Sequence, residues 1–261
     1  MVEYPASAKG DVVDDYHGTL VPDPYRWLEE MDSAATTAWV DAQNELTFSH
    51  LDTIPNRRAL RQRFEELWDF PRQSAPVRRG DWHYFSRNDG LQPQPVLYRR
   101  PIAGGDTEVV LDPNSLSDDG TVAVMTQSFT ADGNLLAYSV AEAGSDWQQA
   151  RVLDTATGSL LADELNWIKF TNLAWAPDGQ SFYYSRYPAP DAPAAKPPST
   201  NQRVYLHRLG TDQAADELVY ARPDAPDLGF QPLVTDDHDL LVLHVWQGQW
   251  RRSVPAELHG R

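Results

Sequence analysis

The pattern of apolar and polar positions changes character near Phe70-Pro71. Upstream, apolar residues recur at the three-to-four spacing of amphipathic helices. Downstream, they come in short runs broken by Gly-, Asp- and Pro-bearing turns, the signature of strands. Residues 1–70 are therefore expected as a helical segment, 71–248 as a strand-built domain, and 249–261 as a tail that fits neither pattern.

Three helices are expected in the first segment. Asp23-Pro24 reads as a helix start, because Asp accepts from orphan amides and Pro at the first position loses no bond. That helix should run from Pro24 to Glu30 and bury Tyr25, Trp27 and Leu28. Asp32-Ser33 can cap a second helix reaching about Leu51, with Trp39, Ala42 and Leu46 along one face. Asn56 can cap a third, with Leu60, Phe64 and Leu67 on one face and Arg57, Arg58, Arg61 and Arg63 largely on the others. Pro71 ends it.

From about Ala75 a loose repeat takes over, with a strand, an acidic turn and an aromatic-rich strand in each unit. Arg79-Gly80-Asp81 leads into Trp82, Tyr84 and Phe85; Ala131-Asp132-Gly133 into Leu135, Leu136 and Tyr138. Pro177-Asp178-Gly179 leads into Phe182, Tyr183 and Tyr184, and Asp236-Asp237-His238 into Leu240 to Val245. The Asp-Gly pairs supply the positive φ that tight hairpins need. A recurrence of roughly 45–60 residues with four-strand units is the mark of a β-propeller. About three and a half units fit before Arg261. The Pro- and Ala-rich stretch from Tyr187 to Pro198 reads as an exposed loop.

Composition narrows the function classes. The 261 residues carry 38 Asp and Glu against 22 Lys and Arg, a formal charge of −16. No basic stripe exists to neutralise nucleic-acid phosphates or to seat on an anionic membrane. Cysteine is absent, which removes disulfides, thiolate metal sites and a Cys nucleophile from this sequence. No secretory signal and no apolar run of about 18 residues is visible, so the cytoplasm is the expected location. Thr235-Asp236-Asp237-His238-Asp239 and Asp118-Asp119-Gly120 superficially suggest cation ligands. Both sit where the repeats place turns, and are read as turns. Asp14-Asp15-Tyr16-His17 is read as a strand and turn rather than acid–base chemistry, and Gly104-Gly105-Asp106 as a hairpin turn with no helix behind it to cradle phosphate.

Several segments together resemble the prolyl oligopeptidase family. They are Asp14-Asp15-Tyr16-His17-Gly18, Asp23-Pro24-Tyr25-Arg26-Trp27-Leu28-Glu29, Gly90-Leu91-Gln92-Pro93-Gln94, Leu111-Asp112-Pro113-Asn114-Ser115, Gly144-Ser145-Asp146-Trp147 and His207-Arg208-Leu209-Gly210-Thr211-Asp212-Gln213. The resemblance runs from about Tyr4 to Trp246. It implies a seven-bladed propeller over an α/β-hydrolase domain, to which the N-terminal helices belong. It also implies cleavage of short peptides after proline by a Ser–Asp–His triad, with no cofactor and no metal. The expected fold is thus mainly β, a partial propeller of about three and a half of seven blades behind a helical segment of the hydrolase domain.

The triad lies beyond the propeller in that family, and no Gly-x-Ser-x-Gly occurs in this chain. No catalytic residue is assigned, and the chain is expected to be inactive alone. The resemblance carries over one substrate-binding position: Lys169-Phe170-Thr171 aligns with a segment whose Phe lines the substrate pocket, so Phe170 is the candidate, with an ordinary core aromatic as the alternative. Nothing is carried over near Leu228-Gly229 or Trp246 to Gln249, where the sequence departs from the family. The expected ligands are short proline-containing peptides. A binding module built on a truncated propeller, and one half of a two-chain peptidase, remain open alternatives. The residues from Gln249 onward suggest a shifted reading frame, and an open half-ring with exposed strand edges is expected to be poorly soluble.

Overall fold

A computed structural model describes residues 3–190, 198–237, 239–248 and 250–257. The chain divides into two compact units, Met1–Asp69 and Phe70–Arg261.

The first unit opens with a hairpin of β1 (Val13–Tyr16) and β2 (Thr19–Pro22), turned at His17 and Gly18, both at positive φ. The Asp14-Asp15-Tyr16-His17 segment is therefore strand and turn, with Asp15 Oδ1 accepting from the Gly18 amide at 2.6 Å and Asp14 paired with Arg26. The helix expected over Pro24 to Glu30 is a single 3-10 turn, Arg26–Glu29. Its growth is cut short because the Trp27 carbonyl is taken by the Glu30 amide at 3.2 Å and the Thr36 hydroxyl at 3.1 Å. Trp27 and Leu28 are half-buried, whereas Tyr25 is exposed, contrary to expectation.

Helix α1 (Ala34–Asp52) starts where Ser33 Oγ accepts from the Thr36 amide at 3.2 Å. Trp39, Ala42 and Leu46 share its half-buried face, and Trp39 meets Trp27 edge-on at 6.5 Å. Helix α2 (Arg57–Trp68) begins after Asn56, but the Asn56 side chain makes no capping bond: its φ of −97° and ψ of 1° are not the extended geometry that aims a cap oxygen at the first amides. The stripe Leu60, Phe64 and Leu67 is exposed within this unit. Arg61–Glu65 and Arg63–Glu66 pairs lace another face.

The second unit is a series of antiparallel meanders. The first blade has β3 (Arg72–Gln73) and β4 (Val77–Arg79), both paired with β5 (Trp82–Asn88), then β6 (Val96–Pro101) and β7 (Glu108–Leu111). The second has β8 (Val122–Phe129), β9 (Leu135–Glu142), β10 (Gln148–Asp154) and β11 (Leu160–Ile168). The third has β12 (Ala174–Trp175), β13 (Ser181–Arg186), β14 (Arg203–Arg208) and β15 (Glu217–Tyr220). The fourth has β16 (Gly229–Val234), β17 (Leu240–Gln247) and β18 (Trp250–Glu257). Among the described residues the strand ladder between blades two and three is the single pair of Ile168 with Arg186. Among the described residues the sheets do not close on themselves: this is a partial β-propeller.

Turn chemistry sets the hairpins. Gly80, Gly133 and Gly179, each next to an Asp, take positive φ. Asp132 Oδ1 accepts from the Thr130 hydroxyl at 2.6 Å and the Asn134 amide at 3.0 Å; Asp178 grips Ser181 in the same way. In the fourth blade Asp237 accepts from the Thr235 hydroxyl and the Asp239 amide, so this acidic run is also a turn. His238 lies outside the described residues, as do 191–197 of the Pro- and Ala-rich loop.

The core lies between blades. Tyr84, Leu97, Val110, Leu136, Tyr138 and Leu153 fill the seam of blades one and two. Val152, Leu165, Ile168, Trp175, Phe182 and Tyr184 fill that of two and three. Tyr183, Val204, Phe230, Leu241 and Leu243 fill that of three and four. Burying a side chain such as Phe182 completely contributes about 2–3 kcal/mol.

The tail corrects the expectation. Trp250–Glu257 pairs with β17 along its whole length, from Gln247↔Trp250 to Leu240↔Glu257. Gly248 at φ +55° makes the tight turn, and Pro255 is tolerated because β18 is an edge strand among the described residues. Backbone pairing to an established strand, not an internal apolar pattern, forms this element.

Candidate functional site

The loop from β11 to β12 carries Lys169, Phe170 and Thr171. Two non-glycine residues of positive φ bracket its entry, Trp167 at 62° and Phe170 at 54°. Trp167 sits in a bulge, where the four residues of β11 from Leu165 to Ile168 face the three of β10 from Gln148 to Ala150. Non-glycine residues in this region of backbone space are costly and persist only when their surroundings over-determine them.

Those surroundings are identifiable. Gln202, 1% exposed, donates through Nε2 to the Lys169 carbonyl at 2.7 Å and accepts at Oε1 from the Phe230 amide at 2.5 Å. On the other side Thr171 Oγ1 accepts from the Ser185 amide at 2.9 Å and donates to the Asn172 carbonyl at 3.0 Å. The backbone is thus pinned before and after Phe170, which keeps its ring 41% exposed and outside the blade cores. The ring meets Trp246 of β17 edge-on at 5.8 Å and 82°.

Trp246 lies across the cross-strand partner Gly229, where a Cβ would fall 2.0 Å from the indole ring. Glycine leaves the space in which the ring rests. Lys169 stands 5.2 Å from the Trp147 ring and 5.0 Å from the Phe170 ring, and pairs with Asp146 at 3.5 Å. Trp147 in turn meets Tyr187 edge-on at 5.5 Å. Burial pushes the Tyr187 phenol pKa up, so it stays neutral. The result is an aromatic patch with one cation, able to hold apolar or cyclic side chains by ring contact.

Gly144-Ser145-Asp146-Trp147 and Lys169-Phe170-Thr171 are brought together here, through Asp146 and Trp147 against Lys169. Trp246 and Gly229, to which the sequence assigned nothing, adjoin them. Their signal was a small–large pair readable only once β16 and β17 are set in register. A cavity of about 870 Å³ lies on the unit, lined by the turns at Asp132, Asp178 and Asp236 with Arg78 and Arg79.

Three interlocked meanders and a fourth of three strands, each seam filled by aromatics, agree with one family. The sequence profile described as "Prolyl oligopeptidase, N-terminal beta-propeller domain" matches residues 4–257. The chain belongs to the prolyl oligopeptidase family. It is 41% identical to the prolyl endopeptidase of Elizabethkingia meningoseptica over 93% of this chain and 34% of that protein. It is 33% identical to prolyl oligopeptidase A of Galerina marginata, over 96% of this chain and 38% of that one. The solved structure of prolyl oligopeptidase B from Galerina marginata, bound to a 25mer macrocyclization substrate, superposes with a TM-score of 0.81 at 31% identity. That match covers 98% of this chain and 39% of the other. The chain therefore spans about a third of the length of the prolyl oligopeptidases it matches. The profile includes Trp250–Glu257, so the strand β18 falls within the prolyl oligopeptidase propeller match.

Proposed function

We propose that this chain is the propeller-bearing part of a serine peptidase that cleaves short peptides on the carboxyl side of proline, and that Phe170 contacts the peptide. Family membership supports the reaction class. The observation that carries the site is the presentation of Phe170: a positive-φ aromatic, pinned on both flanks, held out of the core against Trp246. An edge-to-face aromatic pair offers ring surface against which a rigid, apolar pyrrolidine ring can pack.

Hydrolysis needs a nucleophile, a base and an orienting acid in mutual reach. This sequence carries no Gly-x-Ser-x-Gly, so in this reading its role is to bind and orient rather than to react. Titrating the chain with a blocked Gly-Pro dipeptide while following tryptophan fluorescence tests the site. Binding that is weakened about tenfold or more by Phe170→Ala, and absent with a blocked Gly-Ala dipeptide, is the expected result. Equal binding of the two peptides, or no effect of Phe170→Ala, refutes it.

A further inference from the structure

His207 of β14 is fully buried, and both of its ring nitrogens face carboxylates. Nδ1 is 2.7 Å from Asp216 Oδ1, and Nε2 is 3.0 Å from Asp163 Oδ1. Neither carboxylate is free to donate in return. Asp163 Oδ1 also accepts from the Gly210 amide at 2.6 Å, and Asp216 Oδ2 accepts from the Tyr184 hydroxyl at 2.7 Å. The Tyr184 hydroxyl itself accepts from Gln213 Nε2 at 3.0 Å. A carboxylate that only accepts needs a donor opposite it. Two such carboxylates need two N–H groups, and only the imidazolium has both.

The partners come from different blades. Asp163 belongs to β11 of the second blade; His207, Tyr184 and Asp216 belong to the third. Gln213 reinforces the same seam, accepting from the Asn166 amide at 3.1 Å and donating to the Asn166 carbonyl at 3.0 Å. Asn166 lies three residues before Lys169. The ladder between these blades is a single residue pair, so this polar contact supplies directionality that backbone pairing does not.

We propose that Asp163, His207 and Asp216 form a proton-dependent clamp across the seam of the second and third blades. With the ring doubly protonated the clamp is closed. Loss of one proton leaves one carboxylate facing a bare ring nitrogen, and two acceptors in a buried site repel. The proton leaves from whichever nitrogen gives it up to solvent base; no other bond changes.

The groups facing the ring are Asp163 from β11 and Asp216 from the turn ahead of β15, with Tyr184 of β13 behind Asp216 and Arg186 of β13 acting on that phenol. Burial first, and then Asp216, push the Tyr184 phenol far up, so it stays neutral and takes no part in the titration. Burial opposes the charge on His207, but the hydrogen bonds and charges of Asp216 and Asp163 outweigh it and raise its pKa above the ordinary value. A raised folded pKa gives stability that is complete below the unfolded value of about 6.5 and is lost as pH rises through the folded one.

The test uses the whole chain. Nitrogen-15 correlation spectra of the His207 ring at pH 7 should show both nitrogens protonated; a neutral single tautomer overturns the proposal. Urea midpoints measured from pH 5.5 to 9 should fall above about 6.5 in the wild type, with about one proton more taken up on folding than in His207→Gln. Identical pH profiles for the two proteins overturn it as well. Should His207→Gln not fold, the ring spectra alone decide.

Discussion

The side-chain amide of Gln202 donates to the carbonyl of Lys169 at 2.7 Å, fixing the residue next to Phe170 from a position 33 residues later. The same side chain accepts from Phe230, so one buried amide ties the Phe170 loop to the fourth blade. Gln202→Leu keeps the volume and strands a buried carbonyl and a buried amide. The expected cost is about 2–6 kcal/mol, from about 1–3 kcal/mol for each of the two orphaned groups. Urea unfolding followed by tryptophan fluorescence measures it; an unchanged midpoint would show that Gln202 carries no load.

Gly229 and Trp246 form a size-matched pair. Gly229→Ala places a methyl 2.0 Å from the indole, so the ring must leave its position beside Phe170. Destabilisation of about 1–3 kcal/mol is expected from the overpacking. In Trp246→Ala the added methyl finds room, so the cost of Gly229→Ala should largely vanish in that background. Additive effects in the double-mutant cycle would contradict the pairing.

The seam between the first two blades depends on Tyr84, whose hydroxyl donates to the Gly133 carbonyl at 2.8 Å. Tyr84→Phe removes one buried bond without a cavity. A loss of about 1 kcal/mol is expected, and amide exchange in the Ala131–Asn134 turn should accelerate. Gly80 packs against the same turn: a Cβ there would lie 2.2 Å from the Asp132 carbonyl, so Gly80→Ala should be the more damaging change.

Acid should open the hairpin turns. The Asp132 pKa is lowered chiefly by the Thr130 hydroxyl, then by the Asn134 amide. Asp154 is lowered by the Thr157 amide and Asp119 by the Thr121 hydroxyl. A depressed folded pKa gives stability present above the unfolded value of about 3.9 and lost as pH falls through the folded one. Stability should therefore decline below about pH 4 in the wild type, and less steeply in Asp132→Asn. Parallel acid limbs in the two proteins would dismiss the contribution of Asp132.

Local chemistry was legible in the sequence and long-range chemistry was not. Asp132-Gly133 and Asp178-Gly179 announce their turns because the residues that bond are two or three apart. Ser33 announces its helix for the same reason. Asn56 misled, since a capping residue type says nothing about the φ and ψ it will be given. The strand Trp250–Glu257 was missed because its register is dictated by β17 rather than by its own alternation. Phe170 was reached only through resemblance. Its neighbours Trp246, Gln202 and Trp147 come from three different blades, and no periodicity links them. Asp163, His207 and Asp216 are likewise separated by 44 and 9 positions, a spacing that fits neither helix nor strand.

The single rung between Ile168 and Arg186 bears on how the chain acquires its structure. That ladder skips only the two-residue β12, and every other ladder pairs strands that follow one another directly along the chain or skip only the three-residue β4. Loop closure within a blade is therefore short, and its entropic cost is modest. A nascent chain leaving the ribosome can complete one meander before the next has been synthesised, and each finished meander offers its aromatic face as the template for its successor. Growth by such sequential docking leaves the newest blade, not the oldest, as the part most exposed to chaperones and proteases.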